Sequence, residues 1–422
     1  MNKRNKYLFP LILITVLFFL WGFAHNLNPI LIPHLKKACQ LNDLESSLID
    51  SAFFIAYFLM ALPAGYFMKK YGYKGGIILG LILFATGAFL FYPAASLRDF
   101  SFFLFALFVI ASGLTFLETA ANPYMNELGD PATATQRLNF AQSFNGLAAT
   151  LAPLIGGNLI LSGKTLSETE KSQMTATQLD AYLNMEASAV KVPYLAIGII
   201  VLLVAVLLWR AKLPEIIEEE DAALEVKGSI FKERNLVFGV MAQFFYVGAQ
   251  VGIASFFIRY SHYVAGIEEK TAAYLLSGAL FGFMIGRFVG TFLMKYIAPH
   301  VLLALYSIIN VVLLFVVVFA KGEAGIYALV GIQFFMSIMF PTIFSLGIRG
   351  LGSKRKQGSS LLIMAIVGGA ILPVIMGRVS DANQGNIQLA YIVPVICFII
   401  IFFFALYQTR VKAEIEKVQM SH

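Results

Sequence analysis

The chain has 422 residues, of which 59% are apolar and only 13% charged, with a formal net charge of +7 and a mean hydropathy of +0.78. Soluble globular proteins run at roughly 45–50% apolar and about 25% charged residues, so these proportions exclude a secreted domain, a disordered regulator and an ordinary water-soluble enzyme. Cys39 and Cys397 are the only cysteines, too few for a disulfide framework or a metal site. A helix that crosses a bilayer needs about 20 mostly apolar residues. Such runs fall at about 8–29, 50–68, 75–97, 101–126, 139–161 and 192–209. Six more follow at about 236–258, 271–294, 297–320, 324–348, 358–377 and 388–408. None alternates polar and apolar residues at every second position, as barrel strands do. The first run passes 20 residues with no small-residue cleavage site, so it reads as a span and not as a cleaved leader.

These runs predict an all-α polytopic membrane protein of twelve transmembrane helices in two six-helix halves. The expected boundaries are 1–209 for the first half, 210–235 for a cytoplasmic linker, 236–409 for the second half and 410–422 for a short tail. The linker carries an acid run, Glu218–Glu219–Glu220–Asp221, inside basic flanks. A weak internal echo supports duplication. Phe18, Phe19 and Gly22 recur at one constant offset as Phe244, Phe245 and Gly248, and Met68–Lys69 as Met294–Lys295. Paired halves of this kind point to a carrier.

An even number of spans puts both termini on one face. Lys and Arg favour the loops of that face roughly two to one, which makes it cytoplasmic by the positive-inside rule. The positive surplus is therefore a topology signal, and nucleic-acid binding has little left to explain.

Polarity inside the spans is scarce. Apart from Asp50, which starts span two and reads as its cap, Glu118 and Arg287 are the only formal charges there. A carboxylate at mid-bilayer costs at least about 2.5–3.5 kcal/mol, so it is rare and faces a cavity or a partner. Thr115, Glu118, Thr119 and Asn122 share one helix face at i, i+3, i+4 and i+7, and Pro123 is expected to break that helix. Removal from water disfavours the charged form of a carboxyl, so such a group can exchange a proton near neutral pH. The bland reading is a carboxylate that only ties helices together.

Other spans carry uncharged polar stripes: His25, Asn26 and Asn28 below Trp21 in span one, Gln142 and Asn145 in span five, Gln243, Tyr246 and Gln250 in span seven, Gln333, Ser337 and Ser345 in span ten. Amides both donate and accept, so several converging on one cavity suit a ligand rich in hydroxyls. Trp21 could cover an apolar face of a sugar ring, or simply pack. Gly278, Gly282, Gly286 and Gly290 make a small-residue seam on span eight for close helix contact. No phosphate loop, His or Cys metal cluster or nucleophile elbow occurs.

Several stretches resemble the major facilitator superfamily, and within it the sugar:proton symporters of the fucose permease type. They are FFLWGFAHNLNPILIPHLKKA (18–38), GYFMKKYGYKGG (65–76), LETAANPY (117–124) and RLNFAQSFN (137–145) in the first half. In the second half they are FYVGAQVG (245–252), IGRFVGTFL (285–293), FPTIFSLGIRGLG (340–352) and GSSLLIMAIVGGAILPVIMG (358–377). The resemblance implies a bacterial inner-membrane importer that alternates its access and needs no cofactor beyond the proton gradient. Its implied substrates are a hexose or 6-deoxyhexose and protons, its implied state a monomer in the lipid bilayer.

Glu118 matches the family's glutamate for proton coupling and sugar binding, Asn26 its first-span asparagine, and Gln142 and Asn145 its fifth-span polar block. Asn122, Gln250, Trp21 and Tyr246 complete the expected sugar-binding set. Two positions depart from the family's pattern. Pro29 stands where a second acid is usual, and Phe340 where a sugar-contacting tyrosine is usual. L-Fucose:proton symport is the leading implication, with glucose, galactose or another hexose next, by symport or as a facilitator. Drug efflux fits the amide-rich stripes poorly, and a transporter-fold receptor fits a 14-residue tail after Gln408 poorly.

Overall fold

The computed structural model describes residues 3–41, 43–160, 173–211, 213, 229–267 and 269–420. Among these, ten helical stretches are long and apolar enough to cross a membrane. One of them, Ser51–Leu97, contains two spans, and Ala134–Ile160 supplies a further crossing that is less apolar. The twelve expected spans are accounted for in this way. The linker's acid run and residues 161–172 lie outside the described residues.

In the first half the helices are α1 (Lys3–His25), α2 (Asn28–Ala38), α3 (Asp43–Leu97), α4 (Phe100–Glu127), α5 (Ala134–Ile160), α6 (Ala176–Ser188) and α7 (Lys191–Arg210). The second half contains α8 (Arg234–Ala265), α9 (Glu269–Leu293), α10 (Pro299–Phe319), α11 (Ala324–Met336) and α12 (Met339–Gly347). It ends with α13 (Arg355–Met364), α14 (Gly368–Ala382), α15 (Ile387–Ala390) and α16 (Ile392–Met420). The tail expected from 410 onward is helical through Met420, as a direct continuation of span twelve.

Local sequence explains where these elements turn. Span one does not run unbroken to 29: α1 ends at His25 and α2 restarts with a proline in its first turn, a position where the missing N–H costs nothing. Spans two and three share α3, which turns at Gly72 (φ 73°, ψ 175°), a backbone conformation that side chains with a Cβ rarely adopt. Asp99 caps α4 by accepting from the Phe102 N–H at 3.1 Å.

The polar loop before span six contains α6, opened by a Thr175–Gln178 capping box. Lys37 Nζ meets Glu186 Oε1 at 2.8 Å and Arg98 meets Asp180 at 2.8 Å, so α6 is strapped to α2 and to the turn between spans three and four.

Each half is a bundle with equivalent neighbours. α1 packs on α5, and its counterpart α8 packs on α14. Close approach is demanded at the two echoed glycines. A Cβ on Gly22 would lie 2.6 Å from Asn145 Nδ2, and one on Gly248 would lie 2.2 Å from a Leu372 methyl. The repeat weakly visible in sequence is thus the same packing problem solved twice. The halves meet through α3 with α13, α5 with α9 and α12, and α4 with α13.

Of the span-eight glycines, Gly286 and Gly290 press against Phe334 O and Ile338 of span ten, whereas Gly278 and Gly282 have no neighbour within 4 Å. The expected seam therefore holds for half of its length. Apolar side chains such as Ile199, Leu203, Leu207, Phe315 and Phe403 are exposed on the outside, where hydrocarbon takes the place of water.

Candidate functional site

Thr115, Glu118, Thr119 and Asn122 are all buried on α4. The two threonine hydroxyls bond back to their own helix, Thr115 Oγ1 to Ala111 O at 2.8 Å and Thr119 Oγ1 to Thr115 O at 2.7 Å. Glu118 and Asn122 are left to engage neighbouring helices. The Tyr57 hydroxyl of span two donates to Glu118 Oε1 at 2.7 Å. One turn further, Asn122 Oδ1 accepts from Gln142 Nε2 at 3.3 Å, while Asn122 Nδ2 is buried with no hydrogen-bond partner among the described residues.

Gln142 carries this line into the second half. Its main-chain carbonyl accepts from the Arg287 guanidinium, and its Oε1 lies 3.5 Å from the same nitrogen. Arg287 Nε donates to Ser337 O at 3.1 Å, and its guanidinium sits 4.7 Å from the centre of the Phe283 ring. No carboxylate reaches Arg287 within salt-bridge distance among the described residues. Its charge is instead met by main-chain dipoles and a ring face.

Two prolines explain why those carbonyls are available. Proline has no N–H, so the carbonyl four residues earlier loses its intrahelical donor. Pro123 does not break α4, which continues to Glu127. It does vacate Thr119 O, and Ser359 Oγ of span eleven donates there at 2.7 Å. In the equivalent span ten, Pro341 cannot serve Ser337 O, and that acceptor is taken by Arg287. A neighbouring helix of the second half supplies the missing donor in both cases, across the halves for Thr119 and within the second half for Ser337.

Further contacts between the halves cluster toward the face that carries the termini. Thr135 and Ser345 share a hydrogen bond of 2.8 Å, Asn139 Nδ2 donates to Thr342 Oγ1 at 3.2 Å, and Gln136 Nε2 donates to Thr291 O at 3.2 Å. Glu127 and Arg355 form an ion pair at that rim. Beyond this zone, Thr150 Oγ1 of span five lies 3.8 Å from Met284 Sδ of span eight. The chain is therefore fastened at the terminus-bearing end.

The remaining expected site residues are more dispersed. Asn145 is half-buried on α5, one turn from Gln142 and against span one. Asn26 is half-buried and donates to Gly22 O at 2.7 Å, closing the end of α1. Gln250 is half-buried on α8. Trp21 is only 2% exposed, with its ring centre 4.1 Å from that of Phe18. Tyr246 is fully buried, donates to Met336 O at 3.0 Å, and stands 6.4 Å ring to ring from Phe340. Gln243 is fully buried with both amide atoms unpartnered among the described residues.

Asn122, Gln142 and Arg287 thus form one hydrogen-bonded line, with Glu118 one turn from Asn122 on the same helix and bonded to Tyr57, while Trp21 and Tyr246 are engaged in packing. Sequence reasoning missed Tyr57 and Ser359. A hydroxyl at the centre of an otherwise apolar span two was the available signal for Tyr57, and the register of Pro123 and Pro341 signalled only that two carbonyls would need donors.

Residues 11–366 match the sequence profile of the Major Facilitator Superfamily. The chain belongs to this superfamily of membrane transporters. It is 44% identical over 408 residues to a glucose/galactose transporter of Brucella abortus biovar 1 (strain 9-941), covering 96% of this chain and 95% of that protein. It is also 44% identical over 419 residues to the L-fucose-proton symporter of Escherichia coli (strain K12), covering 97% and 95%. A solved structure of a superfamily transporter, FucP, in the outward conformation superposes with a TM-score of 0.88 at 44% identity, over 95% of this chain and 99% of that one.

This superfamily member is therefore a multi-pass membrane transporter and not an enzyme. Of the two departures from the family's pattern, Phe340 is half-buried beside Tyr246. Pro29 lies in the first turn of α2, with its side chain outside what the structure describes.

Proposed function

We propose that this transporter is a sugar:proton symporter of the bacterial inner membrane, with L-fucose as its substrate. The observation that carries the reading is the placement of Glu118, the only carboxylate in the interior of the expected spans. It rests on Tyr57 at one end of a polar line that reaches Arg287 in the other half. Protonation of Glu118 removes the charge that is costliest to carry through a low-dielectric interior, which couples its proton to the movement of the halves. Sugar hydroxyls pair with the amides of Asn26, Asn122, Gln142, Asn145 and Gln250 and with Glu118 itself, and Trp21 and Tyr246 supply aromatic bulk beside the ring. Asn122 Nδ2, buried and unpartnered, is the donor most in need of such an acceptor.

In this reading both termini are cytoplasmic, the protein acts as a monomer in the bilayer, and the halves 1–209 and 236–409 rock about the linker 210–235. The fastened terminus-bearing end then makes this an outward-facing arrangement. A glucose/galactose substrate is the second reading. It is supported by the equal identity to the Brucella transporter and by Phe340, which lacks the hydroxyl of the usual tyrosine.

The test is uptake of labelled fucose, galactose and glucose by a strain lacking its own carriers, with and without a proton uncoupler. Fucose accumulation abolished by the uncoupler, and by Glu118→Gln, is the expected result. Accumulation that survives the uncoupler, or no saturable uptake of any of the three, refutes symport; saturable glucose or galactose uptake without fucose selects the second reading.

A further inference from the structure

A cavity of about 850 Å³ lies apart from the polar line, between the two halves at the terminus-bearing end. It falls within the roughly 300–1,000 Å³ typical of ligand clefts. Its walls are span one (Leu11, Ile12, Thr15, Val16, Phe19), the start of span five (Phe140, Phe144) and the end of span eight (Phe288, Phe292). Val16, Phe140, Phe288 and Phe292 are 40%, 48%, 39% and 53% exposed, so the cavity opens sideways, into the space that hydrocarbon fills. A sugar has no hydroxyl partners along these rings, and water has few, so the occupant of the deep part is an alkyl chain.

The cavity changes character toward its outer end. Lys295, Arg137, Gln136 and Thr133 line it there, and no acidic residue does. Lys295 is exposed, and its Nζ lies 5.4 Å from the centre of the Phe292 ring. The Arg137 N–H groups are already committed to Met125 O, Asp130 O, Thr133 Oγ1 and Asn126 O. Arg137 therefore contributes field, part of it offset by the nearby Asp130 and Glu127, and Lys295 contributes the free donors. One cation comes from each half.

We propose that this crevice binds one anionic phospholipid, its acyl chain among Phe19, Phe140, Phe144 and Phe288 and its phosphate at Lys295. Depth and charge agree with this occupant: rings stand at hydrocarbon depth, and the cation stands where span eight leaves the membrane, at headgroup level. A lipid so placed fills the gap beside the α5–α9 contact, where the halves must part for the terminus-bearing face to open.

The experiment uses the purified full-length protein in detergent, titrated with phosphatidylglycerol or with phosphatidylcholine of identical chains, and counts bound lipid by native mass spectrometry. The expected result is one phosphatidylglycerol retained in preference to phosphatidylcholine. Lys295→Gln, at an exposed position, should weaken phosphatidylglycerol about fivefold and leave phosphatidylcholine unchanged. Thr15→Phe, which puts a ring into the crevice, should lower the retained count of phosphatidylglycerol by one. Chain-free glycerol phosphate should fail to displace the lipid. Equal retention of the two lipids by the parent, an unchanged preference in Lys295→Gln, an unchanged count in Thr15→Phe, or displacement by glycerol phosphate overturns the proposal. No arm involves sugar, so the outcome is independent of the transport reading.

Discussion

Replacing Ser359 with alanine removes the donor outside α4 that, among the described residues, serves the carbonyl vacated by Pro123. Ser359 and Thr119 are both fully buried, and the bond between them is 2.7 Å. A buried acceptor left without a donor costs about 1–3 kcal/mol. That cost falls on the arrangement in which the halves are fastened, because water reaches Thr119 O once they part. The closed-to-open ratio at the terminus-bearing end should then shift about 5- to 150-fold toward open. Spin labels at Ala132→Cys and Ser353→Cys, both exposed at that end and one in each half, read the distance between halves in a background with Cys39→Ser and Cys397→Ala. Pro123→Ala provides the internal control, since alanine restores the helix N–H to Thr119 O and should cancel most of the Ser359→Ala effect. A shift under about twofold, or an equal shift in both backgrounds, would mean that the proline-vacated carbonyl does not help to hold the halves together.

Three other outcomes are expected. Tyr57→Phe deletes a 2.7 Å hydrogen bond to Glu118; bonds to charged groups are worth about 1.5–3 kcal/mol, so uptake should fall roughly tenfold or more, and in a Glu118→Gln background the same change should add nothing. Multiplicative losses in that pair would separate the two residues. His34, in α2 beyond span one, has its pKa lowered to about 4 by burial, opposed by Glu186 and reinforced by Lys37. Since the unfolded imidazole takes its proton near 6.5 and the folded one only near 4, this stability is present above 6.5 and is lost as pH falls through that window. The thermal midpoint in detergent should drop from neutral pH toward pH 4, and His34→Gln should flatten the drop; an identical slope in the variant rules out His34 as its source. Gly286→Ala places a Cβ 2.5 Å from Phe334 O and should destabilise by about 1–3 kcal/mol, whereas Gly282→Ala, with nothing within 4 Å, should be neutral or mildly stabilising by thermal unfolding.

Much of the architecture was legible because a bilayer imposes a rule that sequence obeys locally. Every backbone polar group must be satisfied within its own segment, so spans announce themselves as long apolar runs and their loops as charge. The limits of that legibility lie at particular residues. Span one looked continuous, yet the Asn28–Pro29 start of α2 divides it. Pro123 looked like a helix end and is instead a position where the helix continues with one carbonyl left over. The loop before span six looked merely polar, because the pairs Lys37–Glu186 and Arg98–Asp180 that strap α6 join residues far apart in the chain.

Composition and spacing by themselves determined a twelve-span membrane protein, set an expected orientation and singled out Glu118 as the candidate coupling group. Each of these rests on the cost of polarity in hydrocarbon, which applies residue by residue. Only the tertiary structure decided what Glu118 touches, that Gln142 and Arg287 extend its line into the second half, and that Trp21 and Tyr246 are held in packing. Those outcomes depend on which helix faces meet. Hydrogen-bond partners across spans are chosen by three-dimensional proximity, and no local pattern in the chain encodes it.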